Sequence, residues 1–185
     1  TMKSLFFVAL FAAVVISQDM DCGLQKTYPG FDLTQYIGQW YTIGNARLAR
    51  VTFEHDLSCE AANYTLAGDV VLVNNTGTEP DGTFKEADGK AYQTNPNDPG
   101  ALTVFFGGPE PKNPNYFVLN VSYEDWSLVG GPCKEWLWIL SRTPQMDNST
   151  YNMLTSQATD QFGYNLKQIG FEHLDTDGCQ SLPPA

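Results

Sequence analysis

The sequence predicts an all-β fold: an eight-stranded antiparallel up-and-down β-barrel with one C-terminal α-helix packed outside it. Three observations carry that expectation. Between Gly38 and Arg142, short β-branched and aromatic runs recur at sequential hairpin spacing. Turn-forming residues separate them. One stretch alone, Ser149 to Phe162, changes to helical spacing.

The elements follow in chain order. Lys3 precedes an apolar run from Leu5 to Ile16, and small residues surround Ser17. That is the pattern of a secretory leader, so residues 1–17 are expected to be removed, leaving a single domain over 18–185. The run is shorter than the roughly 20 apolar residues a spanning helix needs, so no membrane span is expected. The first strand begins at Trp40-Tyr41-Thr42-Ile43. Ala61 to Leu66 is the second, and Ala67-Gly68-Asp69 turns it into Val70 to Val73, the third. A loop holding Gly77, Pro80, Asp81 and Gly82 leads to Thr83 to Ala87, which continues toward Gln93. Pro96 to Gly100 breaks the chain before Leu102 to Phe106. Gly107 to Pro114 is a loop, after which Tyr116 to Leu119, Trp126 to Val129 and Glu135 to Leu140 complete the set.

In the helical segment Tyr151, Leu154, Ala158 and Phe162 fall on one stripe. Asp147, Asn148 or Ser149 can cap its start and Gly163 can end it. The outside of the sheet is the natural surface for that stripe. Strand count and spacing leave a two-sheet sandwich as the alternative. A barrel of this size can enclose one small ligand.

Composition narrows the partners. The whole chain carries a net charge of −11, and loss of Lys3 leaves 9 basic against 21 acidic residues, or −12. Such a surface repels nucleic acid and anionic membranes. No basic run and no phosphate-cradling glycine motif is present, and nothing in the sequence fixes an oligomeric state. Cys22, Cys59, Cys133 and Cys179 allow three disulfide pairings. No two of them lie closer than 37 positions, which disfavours zinc, so no metal is expected. Asn63, Asn74, Asn120 and Asn148 each open an N-glycosylation sequon.

Specific motifs then point to a family. Phe31-Asp32-Leu33-Thr34-Gln35-Tyr36-Ile37-Gly38-Gln39-Trp40-Tyr41 resembles the opening of the lipocalin barrel with its G-x-W signature. Trp138-Ile139-Leu140-Ser141-Arg142-Thr143-Pro144 resembles the last conserved strand, whose arginine lies across that tryptophan. The resemblance implies that Gly38, Trp40 and Arg142 close the barrel, through cation–π contact, and do not bind ligand. The similarity is greatest to the apolipoprotein D and bacterial lipocalin branch, through Cys59 to Leu66 and Tyr116 to Val129. One departure stands out. The branch's T-D-Y is Val121-Ser122-Tyr123 here, which removes the usual aspartate of that turn. The same resemblance implies Cys22–Cys133 and Cys59–Cys179 as the disulfides.

It also implies binding, transport or storage of a small hydrophobic ligand in the cavity: a fatty acid, sterol, retinoid, carotenoid or bilin. Asn63 as a glycan acceptor must face solvent, which turns Tyr64 inward by strand alternation. The branch pattern adds Val70, Leu72 and Asn74, Val104 and Phe106, Tyr116, and Trp138 and Leu140 as the ligand-binding set. Each of these is also an ordinary core residue for such a barrel, and Trp138 and Leu140 precede Arg142 toward the closed end. An inward Asn74 cannot carry a glycan, and Asn120 shares the parity of Tyr116, so Asn63 and Asn148 are the expected glycosylation sites.

Leu48, Val51 and Phe53 are expected as a lid at the open mouth, with His55, Arg47 and Lys90 as surface charges. Two other functions stay open. An enzyme would need a free thiol such as Cys59 with a base beside it, and no G-x-S-x-G or H-E-x-x-H is present. A secreted interaction module would work through its surface alone.

Overall fold

The computed structural model describes Cys22 and residues 24–180. The expected leader, residues 1–17, lies outside the described residues. A short helix α1 (Leu33–Tyr36) leads into β1 (Gly38–Asn45), and a second, α2 (Arg47–Val51), follows it. The strands β2 (Ser58–Ala67), β3 (Val70–Thr78), β4 (Phe84–Gln93) and β5 (Ala101–Phe105) come next. After them stand β6 (Tyr116–Ser122), β7 (Trp126–Gly130) and β8 (Leu137–Ser141). Helix α3 (Asn148–Asp160) and a two-residue β9 (Glu172–His173) end the described chain.

Each strand from β2 to β7 pairs antiparallel with the next. β1 pairs with both β2 and β8, so the sheet closes on itself and the barrel, not the sandwich, is the architecture. Pairing of β1 with β2 ends at Tyr41, and β9 takes up β1 further on at Gly44 and Asn45. The structure thus adds two short α-helices, a 3-10 turn at Pro132–Lys134 and one strand to the expected elements. Two strand connections, Ala67 to Val70 and Ser122 to Trp126, are short turns. β3 runs through Gly77 to Thr78, because its partner β4 continues beside it.

Two apolar layers result. Inside the barrel lie Trp40, Val71, Val73, Ala91, Leu102, Val118, Val129 and Leu140. Outside, Ile43, Phe117, Leu119, Leu128, Leu137 and Ile139 form a patch covered by α3 through Leu154 and Ala158, both fully buried. Tyr151 and Phe162 pack at its margins, as their place on the stripe requires. Asp147 caps α3, accepting from the Ser149 and Thr150 amides at 2.9 and 3.0 Å. Tyr164 closes the helix by donating its amide to Ala158 O at 2.9 Å.

The two disulfides are Cys22–Cys133 and Cys59–Cys179. The first ties the N-terminal segment beside the β7–β8 turn, the second ties the C-terminal segment to the start of β2.

Two expectations about facing are corrected. Val70, Leu72 and Asn74 do not point inward. β3 pairs Val73 with the inward Tyr64 and Leu72 with Thr65, so Val71 and Val73 fill the interior while Leu72 is exposed. Asn74 stands opposite Asn63 and Asp88 on the outer face, and its amide donates to Asp88 at 2.9 Å. Asn120 does not share the parity of Tyr116. An irregularity between Val118 and Asn120 shifts the register, and Asn120 reaches outward to Gln157 of α3 at 2.8 Å. Phe106, just past the end of β5, keeps the inward parity of Val104 with its ring over Gly89, and at 44% exposed it stands toward the open end.

Candidate functional site

The closed end of the barrel is built around Trp40. β1 places its ring in the interior with no exposure, and its indole N–H donates to Tyr36 O at 2.8 Å. Arg142, just after β8, lies over the ring with Cζ 3.7 Å from the centroid. Its guanidinium also donates to Tyr123 O, Gln39 O and Gln35 O at 2.8, 2.8 and 3.1 Å. The planar fork thereby ties the last strand to α1, to β1 and to the β6–β7 turn, which a lysine's single ammonium could not do. The missing aspartate of that turn is replaced locally: Ser122 Oγ donates to Asp125 at 2.7 Å. Tyr123 keeps its own role, its hydroxyl accepting from the Asp32 amide at 2.7 Å.

Gly38 makes this closure possible. Its φ of +92° is left-handed, and a Cβ there would stand 3.4 Å from Arg142 Nη1. Gly38→Ala is expected to lower unfolding stability by about 1–2 kcal/mol, from the backbone term alone. A urea midpoint equal to that of the parent protein would contradict this account.

Above the closed end, a narrow cavity of about 10 Å³ is bounded by Tyr64, Val71, Ala91, Leu102, Val104 and Tyr116, with Leu33 and Tyr36 beneath. That is room for about one water. Three tyrosines meet here. Tyr36 Oη is 2.8 Å from Tyr116 Oη and 3.0 Å from Ser127 Oγ, and Tyr64 Oη is 3.2 Å from Tyr116 Oη. Burial pushes all three phenols up, Tyr64 to about 12, so they are neutral donors and acceptors at any physiological pH. The interior is therefore apolar walls around a small hydroxyl cluster. Among the sequence-selected residues, Tyr64, Val104 and Tyr116 line this cavity, and Leu140 and Trp138 pack on the interior core. Val71, Ala91 and Leu102 also line it and were not selected.

The open end is aromatic. Phe53, from the loop after α2, stacks on Trp136 at 5.5 Å, and Trp136 stacks on Trp138 at 5.8 Å. Phe106 lies over Gly89 of β4, where a Cβ would approach its ring to 2.7 Å. Of the residues expected at the mouth, Val51 and Phe53 are exposed and Leu48 is half-buried. Beside them a cleft of about 330 Å³ is lined by Arg47, Arg50, Val51, Glu54, His55 and Leu57, among others. His55 pairs with Asp56 at 2.9 Å on the surface.

Sequence reasoning missed a polar cluster under this loop. Asn45 is fully buried at the end of β1, and its amide donates to Glu54 at 2.7 Å and Glu60 at 3.2 Å. Trp138 Nε1 donates to the other oxygen of Glu54 at 3.2 Å. Arg50, the neighbouring cation, turns away to Asn45, to Gly170 O at 2.7 Å and to Glu172 at 3.1 Å. The signal was present but faint: two glutamates spaced six apart around a cysteine give no recognisable motif.

Burial raises both acids, and the adjacent Glu54 charge raises Glu60 further. The folded chain therefore holds a proton that the unfolded chain releases near 4.5. The stability linked to that proton is complete at low pH and is lost as pH rises through the raised range. Urea midpoints are thus expected to fall between about pH 5 and about pH 8, and to fall less in Glu60→Gln. A midpoint that rises over this interval in both proteins would contradict the shared-proton account.

The barrel is closed at one end by Trp40 and Arg142 and carries stacked aromatic rings at the other. The chain belongs to the lipocalin-like family, whose model, described as "Lipocalin-like domain", matches residues 31–173. It is similar to outer membrane lipoprotein Blc of Escherichia coli strain K12, 39% identical over 131 residues, covering 70% of this chain and 72% of that protein. It is also similar to apolipoprotein D of Rattus norvegicus, 32% identical over 142 residues, with 72% of each chain covered. Among solved structures, insecticyanin from the tobacco hornworm Manduca sexta superposes with a TM-score of 0.64 at 20% identity. That match covers 83% of this chain and 85% of that one, and is a likeness of fold.

Among the described residues no helix is long and apolar enough to cross a membrane, and no group of side chains is arranged to hold a metal ion.

Proposed function

We propose that this protein is an extracellular binding protein that carries or stores a small hydrophobic molecule inside its barrel. The observation that carries the reading is the interior itself. Apolar walls from β3, β4 and β5 enclose a cluster of neutral hydroxyls, beneath a mouth of partly exposed aromatic rings. A site of that kind takes a lipophile by burial and orients it with few hydrogen bonds.

A ligand is far larger than the free space, so side chains must move to admit it. Tyr64, Val104, Tyr116 and Trp138 are only partly buried and border the cavity or the interior core, and they are the ones that yield. Residues 1–17 act as a removed leader and 18–185 as the mature domain. Two disulfides support that secretory route, since such bonds persist in oxidising compartments. Asn63, on the outer face of β2, and Asn148, exposed at the start of α3, are the glycan acceptors in this reading. Binding rather than catalysis is favoured because Cys59, the thiol a catalytic reading would use, is bonded to Cys179.

The test is a titration with the neutral hydrophobic fluorophore N-phenyl-1-naphthylamine. The parent protein is expected to saturate at one probe per chain. Val104→Trp, which fills the cavity, abolishes the signal while circular dichroism stays that of a β-barrel. Probe binding that persists unchanged in Val104→Trp would place it elsewhere and contradict the reading.

A further inference from the structure

Glu60 is the most demanding group in the barrel. It is 5% exposed, and its Oε1 is buried with no hydrogen-bond donor. Its other oxygen shares a single amide, that of Asn45, with Glu54. A buried acceptor left without a donor is costly, and a carboxylate more so. The Arg50 charge lowers both acids through space, but its hydrogen bonds and ion pair go to Asn45, Gly170 and Glu172 rather than to Glu60.

Position ties this pair to the interior. β1 pairs Asn45 with Trp138, so both share the inward face, and Asn45 reaches Glu60 at the irregularity between Ser58 and Ala61 of β2. Trp138 packs on the interior core and donates to Glu54. The two acids therefore border the barrel interior at its open half, between the tyrosine cluster below and the stacked rings of Phe53 and Trp136 above. Glu54 reaches the cleft at the mouth as well.

We propose that Glu60 and Glu54 form an acceptor site for a protonated amine, so that the barrel's preferred ligands are lipophilic amines rather than fatty carboxylates. This rests on the reading of the interior as a ligand site. The ammonium donates to Glu60 Oε1, which has no other donor, while the hydrocarbon lies against Val104, Trp138 and the rings at the mouth. A carboxylate head would instead bring a third acid beside two that already compete for one proton. The other charged or titratable groups facing the pair are Arg50 of α2, Glu172 of β9 and Tyr64 of β2. Burial raises both acids and favours one shared proton between them, so uptake of an ammonium expels that proton. Binding is coupled to proton release.

Three ligands of one chain length test this: dodecylamine, dodecanol and dodecanoic acid, each competing below its micelle concentration with N-phenyl-1-naphthylamine. The amine is expected to bind tightest and the acid weakest, with about tenfold between amine and acid. Glu60→Gln, of matched shape, removes that gap, and Glu54→Gln narrows it from the loop side should the first variant fold poorly. Calorimetry in two buffers of different ionisation enthalpy shows proton release for the amine alone. Equal binding of amine and acid, or an amine preference unchanged in both variants, overturns the proposal. Displacement by none of the three overturns it too, while probe binding keeps the interior site. Absence of probe binding overturns the interior reading itself.

Discussion

Trp40→Ala is expected to lower the unfolding free energy by about 3–5 kcal/mol, the range for removing a large aromatic from a packed core. Three losses coincide there. The ring is fully buried and tilted against Tyr36 at 5.1 Å, so its removal opens a void beside a second aromatic. Tyr36 O loses its indole donor. Arg142 loses the ring beneath its guanidinium and caps an empty space instead. Arg142→Lys keeps the charge but drops the three-way fork, and its loss should be smaller. Equilibrium urea unfolding measures both. A Trp40→Ala protein as stable as its parent would mean that the closed end is not what holds the strands together.

Reduction of the two disulfides is the second large effect. Cys22–Cys133 and Cys59–Cys179 span 111 and 120 residues. Loops of that length restrict the unfolded chain strongly, and each bridge is expected to contribute about 2–5 kcal/mol. The Cys59–Cys179 bond should have the wider consequence. Cys59 sits at φ +51°, a conformation uncommon outside glycine, at the irregularity that opens β2. Freed of its partner, that residue can relax, and Glu60 next to it moves with the backbone. The double variant Cys59→Ser/Cys179→Ser is therefore expected to lose both stability and the amine preference. Cys22→Ser/Cys133→Ser is expected to lose stability with the amine preference kept, because the acid pair takes its hydrogen bonds from Asn45 and Trp138 and none from the turn that holds Cys133. Equal ligand ranking in the two double variants would contradict that coupling.

Much of this architecture can be read from the residues. The strand runs and the helical stripe of Leu154 and Ala158 each have a local sequence cause, while the contact of Trp40 with Arg142 was legible only through the resemblance of their two motifs to the lipocalin pattern. The misplaced facing of β3 has a specific origin. Val70-Val71-Leu72-Val73 is apolar throughout, so it carries no period-two signal to show which face is inward. Hairpin arithmetic holds the missing information. A two-residue turn at Gly68-Asp69 pairs Ala67 with Val70 and hence Tyr64 with Val73, so an inward Tyr64 requires an inward Val73.

Asn120 went astray for the opposite reason, since a bulge leaves no trace in composition. The acid cluster was invisible because it is assembled from β1, the following loop and β2. No local pattern announces a contact whose members meet only after the barrel closes. Short helices such as α1 and α2 are too brief to show a stripe and are fixed by what they cap.

The most direct test of the central claim is the content of the barrel as the protein is made. Protein purified under native conditions from a secreting cell, denatured in organic solvent, should release one hydrophobic molecule per chain, identifiable by mass spectrometry and absorbance. The Val104→Trp protein prepared alongside should release none. Parent protein that is consistently empty, or that releases the same molecule as the filled-cavity variant, would contradict the assignment of the interior as a ligand site.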